Sequence, residues 1–259
     1  MEAAVAARLP AGAAREVLTF EPLLDSADIG ASEWNRVMAA ILARPGADVV
    51  VTHGTDTMAF TGAALTQALA GSERRVVLCG AMHPLGTGGD AEGNLDQALK
   101  AARNAAPGVW LAFAGLLLPA GALAKVNSHA AEAFIALPEV PPPVRVPRPA
   151  PFAGRRLAIL TLSPGLPAAA LAAMLAELDG AVLRVFGAGT AMNDPALLDA
   201  LRRAVARGVR LRAVSQCLRG GLEPGAYAAG EALWAAGVEN GGMETAEAAL
   251  VRLWLDLSM

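Results

Sequence analysis

Cysteine and histidine are scarce in this chain of 259 residues, and their scarcity limits its chemistry. The two cysteines, Cys79 and Cys217, lie in or beside apolar runs and form no CxxC pair. The three histidines, His53, His83 and His129, do not have the spacing of metal ligands. We therefore expect two reduced, buried thiols rather than a disulfide, and no metal site.

Aromatic residues and a basic surface are also missing. Aromatics make up 4% of the chain, and the formal net charge is −3, without a basic stripe. These features argue against nucleic acid as a partner. Hydrophobic residues, at 54% against 17% charged, exclude a disordered chain and predict a large core.

Long hydrophobic runs are absent too. No uninterrupted apolar stretch reaches the roughly 18 residues that a membrane span requires. The stretch 109–118 is apolar but short, and Gly115 and Pro119 interrupt it. The first fifteen residues lack the basic region and apolar core of a signal peptide. The sequence thus predicts a soluble protein without membrane contact.

What the chain does have is a regular alternation of strand and helix patterns. Continuous β-branched and apolar runs are typical of buried parallel strands, and longer alanine-rich segments favour helices between them. This alternation predicts α/β architecture with mostly parallel sheets. The predicted strands are 17–20, 47–52, 75–79, 109–114, 157–162, 181–186 and 210–214. The predicted helices are 32–43, 57–70, 94–104, 167–179 and 194–207, a helical segment at 1–9, and two helices that close the chain.

A proline-rich segment divides this series. Seven of the fifteen residues at 137–151 are proline, which excludes a regular helix or a central strand there. We therefore predict an N-terminal domain over 1–140, a linker over 141–151 and a C-terminal domain over 152–259.

The segment VVVTHGTDTM at 49–58 is the first candidate for a functional site. A buried strand runs into a polar loop, and a helix follows. Binding sites in parallel α/β sheets lie at the carboxyl ends of strands, so Thr55 and Asp56 are expected to face a crevice. The spacing is equally compatible with a simpler role, in which both residues only cap the following helix.

Lys125 is the second candidate, because it follows a long apolar run. A partly buried lysine has a lowered pKa and can act as a base. The alternative, favoured by the pattern alone, is a lysine whose stem packs while its head reaches water. Two further segments have ordinary explanations as turns. They are the cluster around Ser26 at 22–29 and the glycine-rich loop at 80–94, which lacks a nucleotide-binding spacing.

Taken together, these segments resemble the bacterial asparaginase/glutaminase family. THGTDTM at 52–58 is similar to that family's second active-site signature. Four further stretches occur in the family's order, and the forms DSADI and AYAAG are closer to the cytoplasmic type I branch. The four stretches are EPLLDSADI at 21–29, VVLCGAMHP at 76–84, KVNSHAAEAF at 125–134 and SQCLRGGLEPGAYAAGEALWAAGV at 215–238.

The resemblance implies an N-terminal doubly wound, mostly parallel domain followed by a smaller C-terminal α/β domain. It implies hydrolysis of the side-chain amide of L-asparagine, and possible use of L-glutamine, without a cofactor. It also implies a homodimer or homotetramer in the cytoplasm. Two other functions stay open: a non-catalytic protein of the same fold that binds an amino acid, and an amidotransferase subunit.

The resemblance also implies roles for five residues. Thr55 matches the second catalytic threonine. Asp56 matches the aspartate that binds the α-amino group of the substrate, and Lys125 matches the lysine that helps to activate the threonine. Ser26 matches the serine that binds the α-carboxylate. Ala81 matches a position that lines the amide pocket mainly through its backbone.

The family's first signature, a strand ending in Thr-Gly-Gly-Thr-Ile, does not occur in these 259 residues. That signature carries the residue usually assigned as the nucleophile, and a lid that often contains a tyrosine follows it. Tyr227, the single tyrosine, lies too late in the sequence to match the lid. We therefore expect a truncated start and little activity from this polypeptide alone. Two smaller departures are His83, where an arginine is common, and Thr190, where many members have Gly-Asn.

Overall fold

A computed structural model describes residues 2–9, 14–223, 225 and 228–259. Its N-terminal half contains a four-stranded sheet built from β1 (Val49–Thr52), β2 (Arg75–Cys79), β3 (Gly108–Phe113) and β4 (Leu116–Pro119). The strands lie in the order β1-β2-β3-β4. The first three are parallel, and β4 returns antiparallel to β3. A separate antiparallel pair, β5 (Leu123–Lys125) and β6 (Phe134–Ala136), follows.

Helices cover both faces of this sheet, as expected for a doubly wound domain. They are α1 (Glu2–Ala6), α2 (Ala31–Leu42), α3 (Met58–Ala68) and α4 (Ala91–Asn104), with a 3₁₀ turn at Ser26–Asp28. Residues of α2 and α3 pack with Val76 and Leu78 in the larger core. Residues of α4 pack with Val77 and Cys79 on the other face. The alternation of β2 side chains between two cores explains why the strand is apolar throughout.

Two adjacent arginines connect this sheet to helices. Arg74 donates from its guanidinium to the carbonyls of Ile41 and Arg44, at the carboxyl end of α2. Arg75 donates to the carbonyls of Ala102 and Arg103, at the end of α4. Carbonyls in the last turn of a helix lack intrahelical partners, so each arginine supplies hydrogen-bond donors to them. Its positive charge also interacts favourably with the negative end of the helix dipole.

The C-terminal half forms a second α/β unit with a fully parallel sheet in the order β10-β9-β8-β7. Its elements are β7 (Leu157–Thr161), α5 (Ala168–Ala176), β8 (Gly180–Val185), α6 (Pro195–Ala206), β9 (Arg210–Ser215), α7 (Ala228–Ala235), β10 (Glu239–Asn240) and α8 (Ala246–Leu257). Leu183 and Val185 face α5 and α6, whereas Val182 faces α8.

The last helix, α8, belongs to both halves. Val251 and Leu255 pack in the larger N-terminal core. Ala249 and Leu250 pack with Val182 and Val214 of the C-terminal sheet. Because successive faces of one helix enter two cores, α8 joins the two sheets into a continuous structure.

The proline-rich segment and the five residues after it have no helix or strand, from residue 137 to residue 156. It is nevertheless attached to the molecule. Phe152 is buried and packs edge-on against Trp34 of α2, at 5.2 Å between ring centroids. Asn35 donates to the carbonyl of Phe152 and accepts from its amide. The predicted domain boundaries stay a prediction.

Two predictions need correction. The strand predicted at 17–20 is not formed, because this segment has no neighbouring strand and is held by side chains instead. Glu16 pairs with Arg44, and Phe20 lies under the Arg36 guanidinium. Cys217 is exposed, although Cys79 is buried as expected, and both thiols are free. The strand predicted at 109–114 corresponds to β3, and the sequence did not indicate β4, which pairs with it as an antiparallel hairpin.

Two remaining expectations concern particular parts of the chain. Tyr227 lies outside the described residues. Among the residues that are described, no helix combines the length and the apolar character needed to cross a lipid bilayer.

Candidate active site

The loop after β1 carries Thr55 and Asp56 at the carboxyl end of the parallel strands. This is the edge at which open α/β sheets bind ligands. The residue that precedes α3 is Thr57, and its side chain makes no capping bond to the helix. Its hydroxyl donates instead to the carbonyl of Ser26, at 2.5 Å. Helix capping therefore does not account for the polar side chains of this loop.

Lys125 joins the loop from a distant part of the sequence. It ends β5, and its side chain is 21% exposed. Its Nζ lies 2.8 Å from Thr55 Oγ1 and 2.7 Å from Asp56 Oδ1. The head of the lysine is thus directed at two polar partners, which is the arrangement required for proton transfer with a threonine hydroxyl. Asp56 is 65% exposed, so solvent screens the ion pair and its contribution to stability is small.

Ser26 reaches the same loop from the 3₁₀ turn. Asp25 caps this turn by accepting from the amide of Ala27, at 2.8 Å. Ser26 is 5% exposed, and its Oγ accepts a long hydrogen bond of 3.4 Å from the amide of Asp56. Together with the bond from Thr57, this contact fixes the turn to the loop, so Ser26, Thr55 and Asp56 form one unit.

Ala81 follows β2, on the loop next to the one after β1. The two loops approach closely at Gly80, where a methyl group would lie 2.5 Å from the carbonyl oxygen of His53. Only glycine allows the strand ends to approach this closely. Among the described residues, no hydrogen bond joins Ala81 to Ser26, Thr55, Asp56 or Lys125.

His53 is a feature that the sequence reasoning did not identify. Trp34 donates from Nε1 to Thr61 Oγ1 at 3.0 Å, and this hydroxyl lies 2.8 Å from His53 Nε2. His53 Nδ1 in turn lies 2.6 Å from the carbonyl of Gly54. The carbonyl of Gly54 can only accept, so the histidine donates from Nδ1, and in the neutral ring Nε2 then accepts the proton of Thr61. The result is a neutral ring that holds the peptide before Thr55.

Burial is the main reason why the pKa of His53 is lowered from its usual value, and the bond to Gly54 opposes this effect. No pattern of spacing indicated this series of hydrogen bonds, because its residues come from α2, α3 and the loop between β1 and α3.

The two residues that depart from the family pattern lie elsewhere. His83 is largely exposed, with its ring 3.5 Å from Asp90. Thr190 closes a turn onto Phe186.

Comparison with known proteins agrees with this architecture. The family model "Asparaginase, N-terminal" matches residues 3–151, and the model "Glutaminase/Asparaginase C-terminal domain" matches residues 156–259. The chain is 31% identical to L-asparaginase 1 of Escherichia coli strain K12 over 262 residues, covering 92% of this chain and 77% of the relative. It is 33% identical to the mouse 60 kDa lysophospholipase over 264 residues, covering 92% of this chain and 46% of that protein.

A solved structure gives the same result. The thermostable L-asparaginase from Thermococcus kodakarensis superposes with a TM-score of 0.85 at 30% sequence identity, covering 99% of this chain and 84% of that one. Both halves of the fold, the loop after β1 and the relatives lead to one conclusion: the chain belongs to the asparaginase family.

Proposed function

We propose that this protein is an L-asparaginase-type amidohydrolase, which converts L-asparagine and water to L-aspartate and ammonia. The observation that carries this proposal is the contact of Lys125 Nζ with both Thr55 Oγ1 and Asp56 Oδ1, at 2.8 and 2.7 Å. The E. coli and T. kodakarensis relatives named L-asparaginases support it.

The chemistry begins with the threonine. A hydroxyl is a poor nucleophile until a base removes its proton. Lys125, when neutral, can accept the Thr55 proton over the 2.8 Å contact and later return it to the departing ammonia. Asp56 holds the lysine and presents a carboxylate oxygen to solvent, where it can bind the α-amino group of an amino acid.

Ser26 is the second residue proposed to bind the substrate. Its hydroxyl lies beside Asp56 and can donate to the α-carboxylate. Amide hydrolysis also forms an oxyanion, which backbone N–H groups can stabilise. The Ala81 loop supplies such main-chain groups at the adjacent strand end.

Three finer points are proposed from the resemblance. We infer a homodimer or homotetramer, a cytoplasmic location and possible use of L-glutamine. The choice between asparagine and glutamine depends on the shape of the amide pocket. Analytical ultracentrifugation and parallel assays with both amides test the first and the last of these points.

The decisive experiment measures ammonia release from L-asparagine by the 259-residue polypeptide beside Thr55→Val and Lys125→Met variants. Lys100→Met is a matched control, because Lys100 is the only other lysine and is exposed on α4. We expect both site variants to reduce the rate of ammonia release by about a hundredfold or more, and Lys100→Met to leave this rate unchanged.

If no ammonia is released, binding of L-aspartate, measured by calorimetry, shows whether the site still binds an amino acid. We expect binding that Asp56→Ala weakens by about tenfold or more. Binding with no ammonia release from any form favours a non-catalytic amino-acid-binding function for this polypeptide. Ammonia release that Thr55→Val does not change would show that the proposed site is wrong.

A further inference from the structure

Asp90, the residue that precedes α4, holds the Ala81 loop through its carboxylate. This carboxylate accepts hydrogen bonds from the amide of Met82, at 2.9 and 3.1 Å, and from the amide of His83, at 2.9 Å. Burial would raise the pKa of Asp90, but these N–H donors outweigh it and lower the pKa. The group is therefore an anion that organises the loop from one side.

Asn94, one turn further along α4, connects three elements. It is 2% exposed, and its Nδ2 donates to the carbonyl of Gly80 at 2.9 Å and to Asp90 at 3.1 Å. Its Oδ1 accepts from the amide of Ala114 at 2.9 Å. Ala114 has φ of 49°, a left-handed conformation that is rare for alanine and needs such support. The side chain thus ties together the ends of β2 and β3.

These bonds determine the direction of the main chain at Ala81. In a trans peptide the C=O and the N–H point in opposite directions. The carbonyl of Gly80 points to Asn94, so the N–H of Ala81 points away from it. The N–H of Met82 points to Asp90, so the C=O of Ala81 points away as well. Among the described residues, neither group of Ala81 makes a hydrogen bond.

We infer that Asp90 and Asn94 are positioning residues that orient the main chain of Ala81 toward the side-chain amide of the substrate. This inference rests on the proposed function. A fixed carbonyl accepts a hydrogen bond from an amide –NH₂, whereas the carboxylate of aspartate has no proton to donate at neutral pH. The pair therefore sets the preference for the amide over the acid, without contacting either ligand.

The test compares binding of L-asparagine and L-aspartate, by calorimetry, in a Thr55→Val background that suppresses turnover. Asp90→Asn keeps the shape but places an NH₂ group against N–H donors of Met82 and His83. We expect it to weaken L-asparagine binding by about tenfold, which is the loss of one well-placed hydrogen bond, and L-aspartate binding by less than about twofold.

Two further variants separate positioning from folding. Asn94→Ser removes the amide that reaches Gly80 and should give the same selective loss. Asp194→Ala is the control for lost stability, because Asp194 caps α6 in the C-terminal half by accepting from the amide of Ala196 at 2.8 Å. It should lower the melting temperature, because it removes a helix cap, while leaving both affinities unchanged.

The possible outcomes have distinct meanings. An equal loss of both ligands, or unchanged L-asparagine binding in Asp90→Asn and Asn94→Ser, overturns the positioning role alone. If the Thr55→Val background binds neither ligand, the proposed function fails and this inference fails with it.

Discussion

Gly54 shows how tightly the candidate site is constructed. A methyl group at this position would lie 2.6 Å from Ser26 Oγ and 2.8 Å from Ser26 Cβ. Such contacts are too short, so either the loop or the 3₁₀ turn would have to move. The glycine is therefore required by the distance between two chain segments, and the geometry around Ser26 and Asp56 depends on it.

We predict that Gly54→Ala lowers the free energy of unfolding by about 1–3 kcal/mol through this overlap. It should also weaken L-aspartate binding, since Ser26 is displaced. Urea unfolding and calorimetry measure the two effects. Gly93→Ala is the control: a methyl group there meets no atom within 4 Å, and alanine favours the interior of α4. It should stabilise by about 0.5–1 kcal/mol, and equal destabilisation by both changes would contradict the argument.

The buried His53 predicts a dependence of stability on pH. An unfolded histidine has a pKa of about 6.5, and in the folded protein burial lowers the pKa of His53. Between these two pKa values the unfolded chain binds more protons, so the free energy of unfolding decreases as the pH falls below about 6.5. Above that pH His53 is neutral in both states, and its full contribution to the free energy of unfolding is present.

Urea unfolding at several pH values from 7.5 to about 5 measures this effect. His53→Gln, which cannot gain a proton, should show a smaller decrease over the same range. His83 and His129 are present in both proteins and cancel in the comparison. Equal slopes for the two proteins would show that His53 does not carry the effect.

For individual residues, the sequence predicted some contacts of the candidate site and not others. The contact of Lys125 with Thr55 and Asp56 was expected from the resemblance, whereas spacing alone favoured a lysine directed to water. The partners of His53 could not be predicted, because Trp34 and Thr61 meet it only through the packing of α2 on α3.

Among the elements, buried parallel strands were the easiest to predict. The strand predicted at 75–79 coincides with β2 because its run of apolar residues is buried on both faces. Short strands were missed, since β5 and β6 have three residues each and pair only with each other. The segment 17–20 has a strand-like composition but lies where it has no strand to pair with, and composition alone cannot show that.

The linker offers a prediction at the element scale. Asn35 makes two hydrogen bonds to the main chain of Phe152, the residue after the linker, at 2.8 and 3.0 Å, and these hold the end of the linker against α2. Asn35→Ala should lower the free energy of unfolding by about 2 kcal/mol, as expected for two lost hydrogen bonds. Urea unfolding measures the change. Asn104→Ala is a suitable control, because Asn104 is bonded only within α4 and is exposed; a similar loss there would refute the role of the linker contact.

Across the whole molecule, an ion-pair network joins the C-terminal sheet to α8. Glu244, whose side chain is 2% exposed, lies 2.6 Å from Arg212 of β9 and 2.9 Å from Arg252 of α8. Both arginines are themselves largely buried. Removal of one partner from such a group leaves buried charge without compensation.

Glu244→Gln should therefore destabilise the protein by about 3 kcal/mol. The measurement is again urea unfolding, at low and high salt, because a buried pair responds weakly to screening. Asp199→Asn, which breaks an exposed pair with Arg203 on α6, should change stability by no more than about 0.5 kcal/mol. The network argument fails if the two changes have similar effects.

The position of α8 after all the other described elements has a consequence for biosynthesis. Its residues complete both hydrophobic cores, yet they are translated after every other element described here. The N-terminal half cannot reach its final packing when it first leaves the ribosome, because Val251 and Leu255 are still to be made. The nascent protein must therefore remain partly open until α8 has been synthesised, and it is during this interval that chaperones would be needed most.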